Sequence, residues 1–347
     1  VSTLRAFVYH GPGIGHWDSV PDPVIEQPTD ALVRVDAASV CVGDLYMLRG
    51  EDSEVRPGAV LGHEAVGEIM EVGPEVHSVV PGDEVIVSSI SACGYCLSCR
   101  EGIYGQCKQG GGWLLGHEID GTQADFVRVP FADHSTHKLP YGLDMNTAVL
   151  FSEVLPAAFE LGVRNGKVRP GVVVAVVGAG PVGLAAVSIA EMFGPSRVIS
   201  VDLLPHRLEM GTELGADAAE LPGRLIAELS EGPGADVVIE AAGTPDSFTL
   251  CTRAVRSGGR IANVGMHNSA VTLHLEQLWR KNITISTGQV DASSTPWLLD
   301  TLTSKQMQRL SRIITRELEF DQTEEAYEIL ATAAEAGELR TALRRPG

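Results

Sequence analysis

Positive charge is the scarce ingredient of this chain. Lysine and arginine number 26 against 45 aspartates and glutamates, a formal net charge of −19 over 347 residues. Such a field repels phosphate backbones and anionic membrane surfaces, so neither nucleic acid nor a membrane is the expected partner. It still admits an anionic small molecule held locally by backbone N–H donors. The opening VSTLRAFVYH lacks a basic-then-apolar leader pattern, and the expected location is the cytoplasm. Internal repeats and low-complexity segments are also absent. One charge-free stretch, Gly171 to Ala190, has the length of a membrane span. Its glycines (171, 178, 180, 183), Pro181 and the β-branched Val173, Val174, Val176 and Val177 read instead as a buried strand, a turn and a helix.

Cysteine is sparse, and its distribution is uneven. Four of the six cysteines (93, 96, 99 and 107) lie within fifteen residues, with no second cluster to pair with them. Without a leader, metal binding is a better reading than a disulfide framework. The spacing Cys93-x2-Cys96-x2-Cys99-x7-Cys107 suits a closed tetrahedral zinc site with a structural role. An iron–sulfur cluster is the nearest rival, but the bacterial ferredoxin run has three residues before its last cysteine and proline after it; here there are seven, then Lys108. Cys251 reads as a buried helical thiol.

The chain length points to two domains. The first 150 residues or so are β-rich, with short apolar runs (LRAFVYH, ALVRVDAASV, AVGEIMEVG, DEVIVSS, ADFVRVP) between Gly, Pro and Asp turns. From about 172, strand and helix alternate through VVVAVV, RVISV, ADVVIEAAG, GRIANVGM and ITISTG, which implies a parallel sheet covered on both faces. After about 291 a strand (RIITRELEF) and a helix (QTEEAYEILATAAEAG) are too little for a domain and are expected to pack back onto the N-terminal one. The expected fold class is α/β, divided into residues 1–153 with 291–347 and residues 154–290.

Gly178-Ala-Gly180-Pro181-Val182-Gly183 follows the VVVAVV strand and opens an apolar helix. That is the context in which G-x-G-x-x-G binds a dinucleotide: a tight turn, close approach to the pyrophosphate, and a helix N-terminus facing it. Asp202 ends the next strand, where a carboxylate binds ribose hydroxyls and repels a 2′-phosphate, so NAD is expected over NADP, with Arg207 close by. Ala242-Gly243 and Val264-Gly265-Met266, at the next two strand ends, are expected on the nicotinamide side.

A second donor set is scattered: Cys41 in SVCVGDLYMLRG, His63 in LGHEAVGE and Glu153 in AVLFSEVLPAAF. Singly these have bland readings as a core thiol, a core histidine and a helix-start acid. Together, upstream of a nucleotide-binding domain, a mixed S, N and O set with one open position is how a catalytic zinc is held.

Cys41-x-x-Asp44, Gly62-His63-Glu64 followed by AVGEIMEVG, PGDEVIV at 81–87, the four-cysteine lobe and the GAGPVG turn together resemble the zinc-dependent medium-chain alcohol dehydrogenases, over nearly the whole chain. The resemblance implies a GroES-like catalytic domain, a Rossmann doubly wound cofactor domain, two zinc ions per chain (one catalytic, one structural), and a homodimer or homotetramer. It makes Cys41 and His63 zinc ligands and Glu64 an exchanging one. The third fixed ligand is Cys in many members and Asp in the bacterial secondary-alcohol branch; here it is Glu153. Trp113 falls where that branch has a substrate-pocket tryptophan, and Arg340 matches a basic residue that reaches the cofactor phosphates.

One departure bears on mechanism. Two residues after the cysteine ligand the family usually has Ser or Thr to carry the alcohol proton; here it is Gly43, and the family's frequent histidine three residues on is Tyr46. Asp44 remains, placed to orient His63. The expected reaction is hydride transfer between an alcohol, apolar by the look of Trp113, Leu114 and Leu115, and NAD, giving aldehyde or ketone. A polyol, sugar or formaldehyde-type dehydrogenase of the same fold is the alternative, and a zinc-ribbon binding module the remote one.

Overall fold

The computed structural model describes residues 3–52, 54–225, 232–333 and 337–346. The chain forms two compact units: Val1–Glu153 with Asp291–Thr301 and Ile314–Gly347, and Val154–Val290 with Leu302–Ile313.

The central strand of the first unit alternates over its first six residues. In Ala31–Ser39, Ala31, Val33 and Val35 point into the core while Leu32, Arg34 and Asp36 lie half-buried on the other face, as a two-residue period requires. This strand pairs antiparallel with Ala65–Val72, Phe126–Val129 and Arg340–Arg344. The mixed sheet runs Ile314–Glu319, Arg340–Arg344, Ala31–Ser39, Ala65–Val72, Glu84–Val87, Thr136–Lys138. Its core gathers Phe7, Ile69, Leu61, Leu115, Phe320, Tyr327 and Leu343. Both expected tail elements belong here, the strand as Ile314–Glu319 and the helix as Thr323–Ala331. Residues 334–336, the end of the expected helical run, lie outside the described residues.

The second unit is a six-stranded parallel sheet in the order Ala218–Glu220, Arg197–Val201, Val173–Val177, Ala235–Glu240, Val255–Asn263, Thr284–Ser286. Numbered along the chain this is 3-2-1-4-5-6, the doubly wound dinucleotide-binding order, with the reversal beside the first strand. The charge-free run resolves into the strand Val173–Val177, a glycine turn and the helix Pro181–Glu191. Among the described residues no helix is long and apolar enough to cross a membrane. Cys251 is buried in the helix Pro245–Ala254.

The observed division departs from the expected one at a single segment: Leu302–Ile313 packs with the second unit rather than with the tail. Leu310 and Ile313 are fully buried, and Arg309 and Arg312 pair with Glu191 (2.7 Å) and Glu213 (2.6 Å). Nothing in the local sequence signals which unit such a segment joins; the apolar side chains go where a matching surface exists.

Candidate metal and dinucleotide sites

Cys41 precedes the short helix Val42–Leu48, and its N–H donates to Oδ2 of Asp44 (2.9 Å), which closes the helix start. The same buried carboxylate lies 2.9 Å, through Oδ1, from Nδ1 of His63. Asp44 therefore ties the cysteine backbone to the histidine ring and leaves Nε2 facing away. Behind it runs a buried chain: Gln123 Nε2 donates to Asp44 Oδ2 (3.4 Å), and the Tyr327 hydroxyl donates to Gln123 Oε1 (2.8 Å).

Four donor atoms converge in front of that support. Oε2 of Glu153 lies 3.5 Å from Cys41 Sγ and 3.0 Å from His63 Nε2, and Oε1 of Glu64 lies 4.0 Å from that nitrogen. All four are within 4.8 Å of one another. A tetrahedral ion with bonds of about 2.0–2.3 Å requires ligand separations of roughly 3.3–3.8 Å, so the spacing suits zinc. The charges in the cluster are strongly coupled. Burial and the Glu153 carboxylate push the Cys41 thiol up, whereas a divalent ion there would stabilise the thiolate. Burial would lower His63, but Asp44 and Glu153 together hold it well above the usual histidine range. Burial would raise Glu153, yet His63 and Arg340 bring it down to about 2. Glu64 Oε1 is buried with no hydrogen-bond partner, a lone pair that a metal would satisfy.

Arg340 is drawn into this cluster. Its side chain is 6% exposed and that of Glu64 1%; the guanidinium donates to Glu64 Oε2 and, at 3.0 Å, to the hydroxyl of Ser39, which also donates to Glu64. Burial disfavours the charge, but Glu64, Cys41 and Glu153 keep Arg340 firmly protonated. Ser39, Gln123 and Tyr327 were not singled out in the sequence. No spacing rule connects them, because strand register and helix packing bring them together.

Trp113 stands edge-on to His63 (5.3 Å, 75°) and is stacked on His117 (4.9 Å, 15°). His117 Nε2 in turn lies 3.2 Å from Asp52 and 3.6 Å from Glu54. A Cβ added at Gly43 would come within 3.3 Å of the indole, so the ring packs over the flank that Gly43 leaves without a side chain. Leu114 and Leu115 are buried in the protein core and offer almost no surface to a ligand, which removes them as the expected apolar lining. The neighbours of Trp113 are more polar than the sequence suggested. Tyr46 is half-buried on the Asp44 helix.

The four cysteines of the lobe also converge. Sγ of Cys93 and Cys99 are 3.8 Å apart, the edge of a tetrahedron with Zn–S bonds of about 2.3 Å. The N–H groups of Cys96 and Lys108 point at Sγ of Cys93 and Cys96, each at 3.4 Å. Backbone donors at Lys108 and Cys99 lower Cys96 to about 6, while burial and Cys96 raise Cys99 to about 12. Gly94, at φ +77°, admits the lobe's turn: a Cβ there would strike the His134 ring at 2.0 Å.

In the second unit Gly178 has φ +101°, and a Cβ at Gly183 would lie 1.8 Å from the Gly178 carbonyl, so turn and helix close on each other only with glycine at both places. A Cβ at Gly180 would meet no protein atom within 4 Å, leaving the face before the helix open to a ligand. Pro181 and Val182 begin the helix half-buried. Asp202 accepts the N–H of Ala179 (2.7 Å) and of Leu204 (3.0 Å), which locks the second strand end to the glycine turn, with Arg207 Nη1 3.9 Å away. Ala242, Gly243, Val264, Gly265 and Met266 follow the fourth and fifth strands, at the same carboxyl edge.

Residues 27–141 match the alcohol dehydrogenase GroES-like domain and residues 181–304 the zinc-binding dehydrogenase domain. A probable zinc-binding alcohol dehydrogenase of Mycobacterium tuberculosis is 35% identical over 349 residues, covering 98% of this chain and 88% of that protein. Zinc-type alcohol dehydrogenase B of Aspergillus flavus is 32% identical over 339 residues, covering 94% and 78%. Among solved structures, the zinc-dependent alcohol dehydrogenase 2 of Streptococcus pneumoniae superposes with a TM-score of 0.91 at 36% identity and 99% coverage of both chains. Fold, donor geometry and relatives agree, and the chain belongs to the zinc-dependent medium-chain dehydrogenase/reductase family of oxidoreductases.

Proposed function

We propose that the chain is an alcohol dehydrogenase of that family which moves a hydride between an alcohol and NAD, giving aldehyde or ketone. The observation that carries this reading is the convergence of Cys41, His63 and Glu153, with Asp44 fixing the histidine from behind. These three would hold a catalytic zinc, with Glu64 as the exchanging fourth donor, and Cys93, Cys96, Cys99 and Cys107 a structural one. When bound, zinc supplies a Lewis acid that eases loss of the alcohol proton, and the nicotinamide accepts the hydride.

The protein's own contribution is position and charge. Asp44, 2.9 Å from Nδ1 of His63, would keep a proton there, so that Nε2 could turn its lone pair to a metal. Arg340 balances the carboxylate of Glu64 and tethers it on the far side from His63. Trp113 walls one flank and shields it from water, and Gly43 offers no hydroxyl to pass a proton. Gly178, Gly180 and Gly183 shape the pyrophosphate turn, and Asp202, anchored by two backbone N–H groups, meets the ribose and disfavours a 2′-phosphate.

The polyol reading has an observation of its own: Trp113 is backed by His117, Asp52 and Glu54, groups able to bind hydroxyls. Initial rates with NAD and NADP over short and long, primary and secondary alcohols and vicinal diols decide between the readings. Turnover of alcohols with NAD supports the proposal, and preference for diols the second reading. No oxidation of any alcohol, or full activity in Cys41→Ala, would refute both.

A further inference from the structure

Glu240 ends the fourth strand of the parallel sheet and is an acid with no exposed surface. A buried carboxylate is tolerated only where its lone pairs meet donors, so the identity of those donors shows what the group holds. Oε1 accepts the N–H of Ala242 (3.0 Å), the N–H of Gly243 (2.9 Å) and the hydroxyl of Ser247 (2.6 Å). The main-chain carbonyl of the same residue accepts the N–H of Val264 (2.8 Å) and of Gly265 (3.1 Å). Oε2 lies 3.3 Å from Nε2 of His267, which is also 2.9 Å from Asn263 Oδ1.

Glu240 thus bonds both loops that leave the carboxyl edge after the fourth and fifth strands. The fit is close. A Cβ at Gly265 would fall 2.5 Å from Glu240 Oε2, and one at Gly243 would fall 2.3 Å from the Met266 carbonyl. Gly243 has φ +70°, so the first loop takes a turn that its neighbours do not favour by themselves. Hydrogen bonds to a charged acceptor are the strong kind and suit the task of holding such a turn.

We propose that Glu240 is a positioning residue for dinucleotide binding: its buried carboxylate sets the 242–243 loop, which packs against the 264–266 loop held by the main-chain carbonyl, in the one arrangement that receives the nicotinamide half of the cofactor. The inference rests on the dinucleotide reading above. Glu240 itself is fully covered by protein and acts only through the loops.

The test uses the zinc-loaded full chain, with dinucleotide binding followed by NADH fluorescence and by steady-state kinetics. Glu240→Leu removes the acceptor, and Glu240→Gln keeps a neutral one. Losing a bond to a charged acceptor corresponds to about a tenfold change or more in affinity. Glu240→Leu is therefore expected to raise the NADH Kd and the KM for NAD by that factor. Its kcat at saturating NAD and its alcohol KM should stay near the parent values, while Glu240→Gln recovers most of the loss. A folded Glu240→Leu that binds NADH like the parent overturns the inference, as does a rise in alcohol KM equal to that in NAD KM. Should Glu240→Leu not fold, Ser247→Ala, which withdraws one donor from Oε1, decides: a several-fold weaker NADH complex supports the inference, and an unchanged one overturns it. A parent enzyme that binds no dinucleotide would instead refute the dinucleotide reading itself.

Discussion

Replacing Arg340 by methionine should be among the most destabilising single changes in the first unit. The guanidinium and Glu64 are 6% and 1% exposed, and the pair is closed off by Ser39. Without Arg340 the Glu64 carboxylate keeps only the serine hydroxyl on Oε2. Removing one member of a buried ion pair costs about 3–5 kcal/mol, mostly because the survivor is left uncompensated. With urea m-values of about 1–3 kcal/mol/M, the midpoint should fall by roughly 1 M or more. The assay is urea unfolding of the zinc-loaded protein, followed by the near-ultraviolet signal, to which Trp17, Trp113 and Trp297 of the first unit contribute. Glu64→Gln and the double variant complete a cycle. The double variant should be less damaged than the sum of the singles by about 1–3 kcal/mol. Effects that simply add, within about 0.5 kcal/mol, would show that the pair does not act as a unit and would refute the reasoning.

Three further outcomes follow from the same geometry. Cys99→Ser should lower the zinc content measured by atomic emission from two ions per chain to one and destabilise the lobe, because a hydroxyl does not replace a thiolate in a four-sulfur site; retention of two ions would contradict it. His137, lowered to about 4 by burial and the neighbouring charge of His134, binds its proton less readily when folded than when unfolded. Its contribution is therefore lost as pH falls from about 6.5 towards 4, by at most about 3 kcal/mol. His137→Gln should flatten that part of the stability–pH curve, and an unchanged slope would count against the assignment. Gly183→Ala places a Cβ 1.8 Å from the Gly178 carbonyl, a backbone clash no rotamer relieves, so dinucleotide binding measured by NADH fluorescence should be lost while two zinc ions remain; normal binding would mean the turn is softer than its packing implies.

Much of this molecule was legible in one dimension because its signals are local. The glycine turn between the strand Val173–Val177 and the helix Pro181–Glu191, the short apolar runs that became first-unit strands and the cysteine lobe each depend on neighbours a few residues apart. The third strand of the parallel sheet, Ala218–Glu220, went unread because three residues carry too little pattern to separate from a loop. Leu302–Ile313 was assigned to the other unit because the choice depends on which distant surface covers Leu310 and Ile313. The apolar look of Leu114 and Leu115 misled for a similar reason: hydrophobicity says that a residue is buried but not whether a pocket or the core covers it.

What the amino-acid order determined by itself was the inventory: which donors exist, where the nucleotide turn lies and which acid follows it. What only the tertiary structure decided was the partnerships. Glu64 belongs to Arg340, residues 64 and 340 meeting because the strands Ala65–Val72 and Arg340–Arg344 both pair with Ala31–Ser39. Trp113 fills the side left bare by Gly43, and Glu240 holds one loop with its carboxylate and the next with its main-chain carbonyl. The reason is physical. Local patterns follow from backbone periodicity and turn sterics, which act over a few residues, whereas a buried charge is set by whatever the folded chain brings within about 4 Å of it.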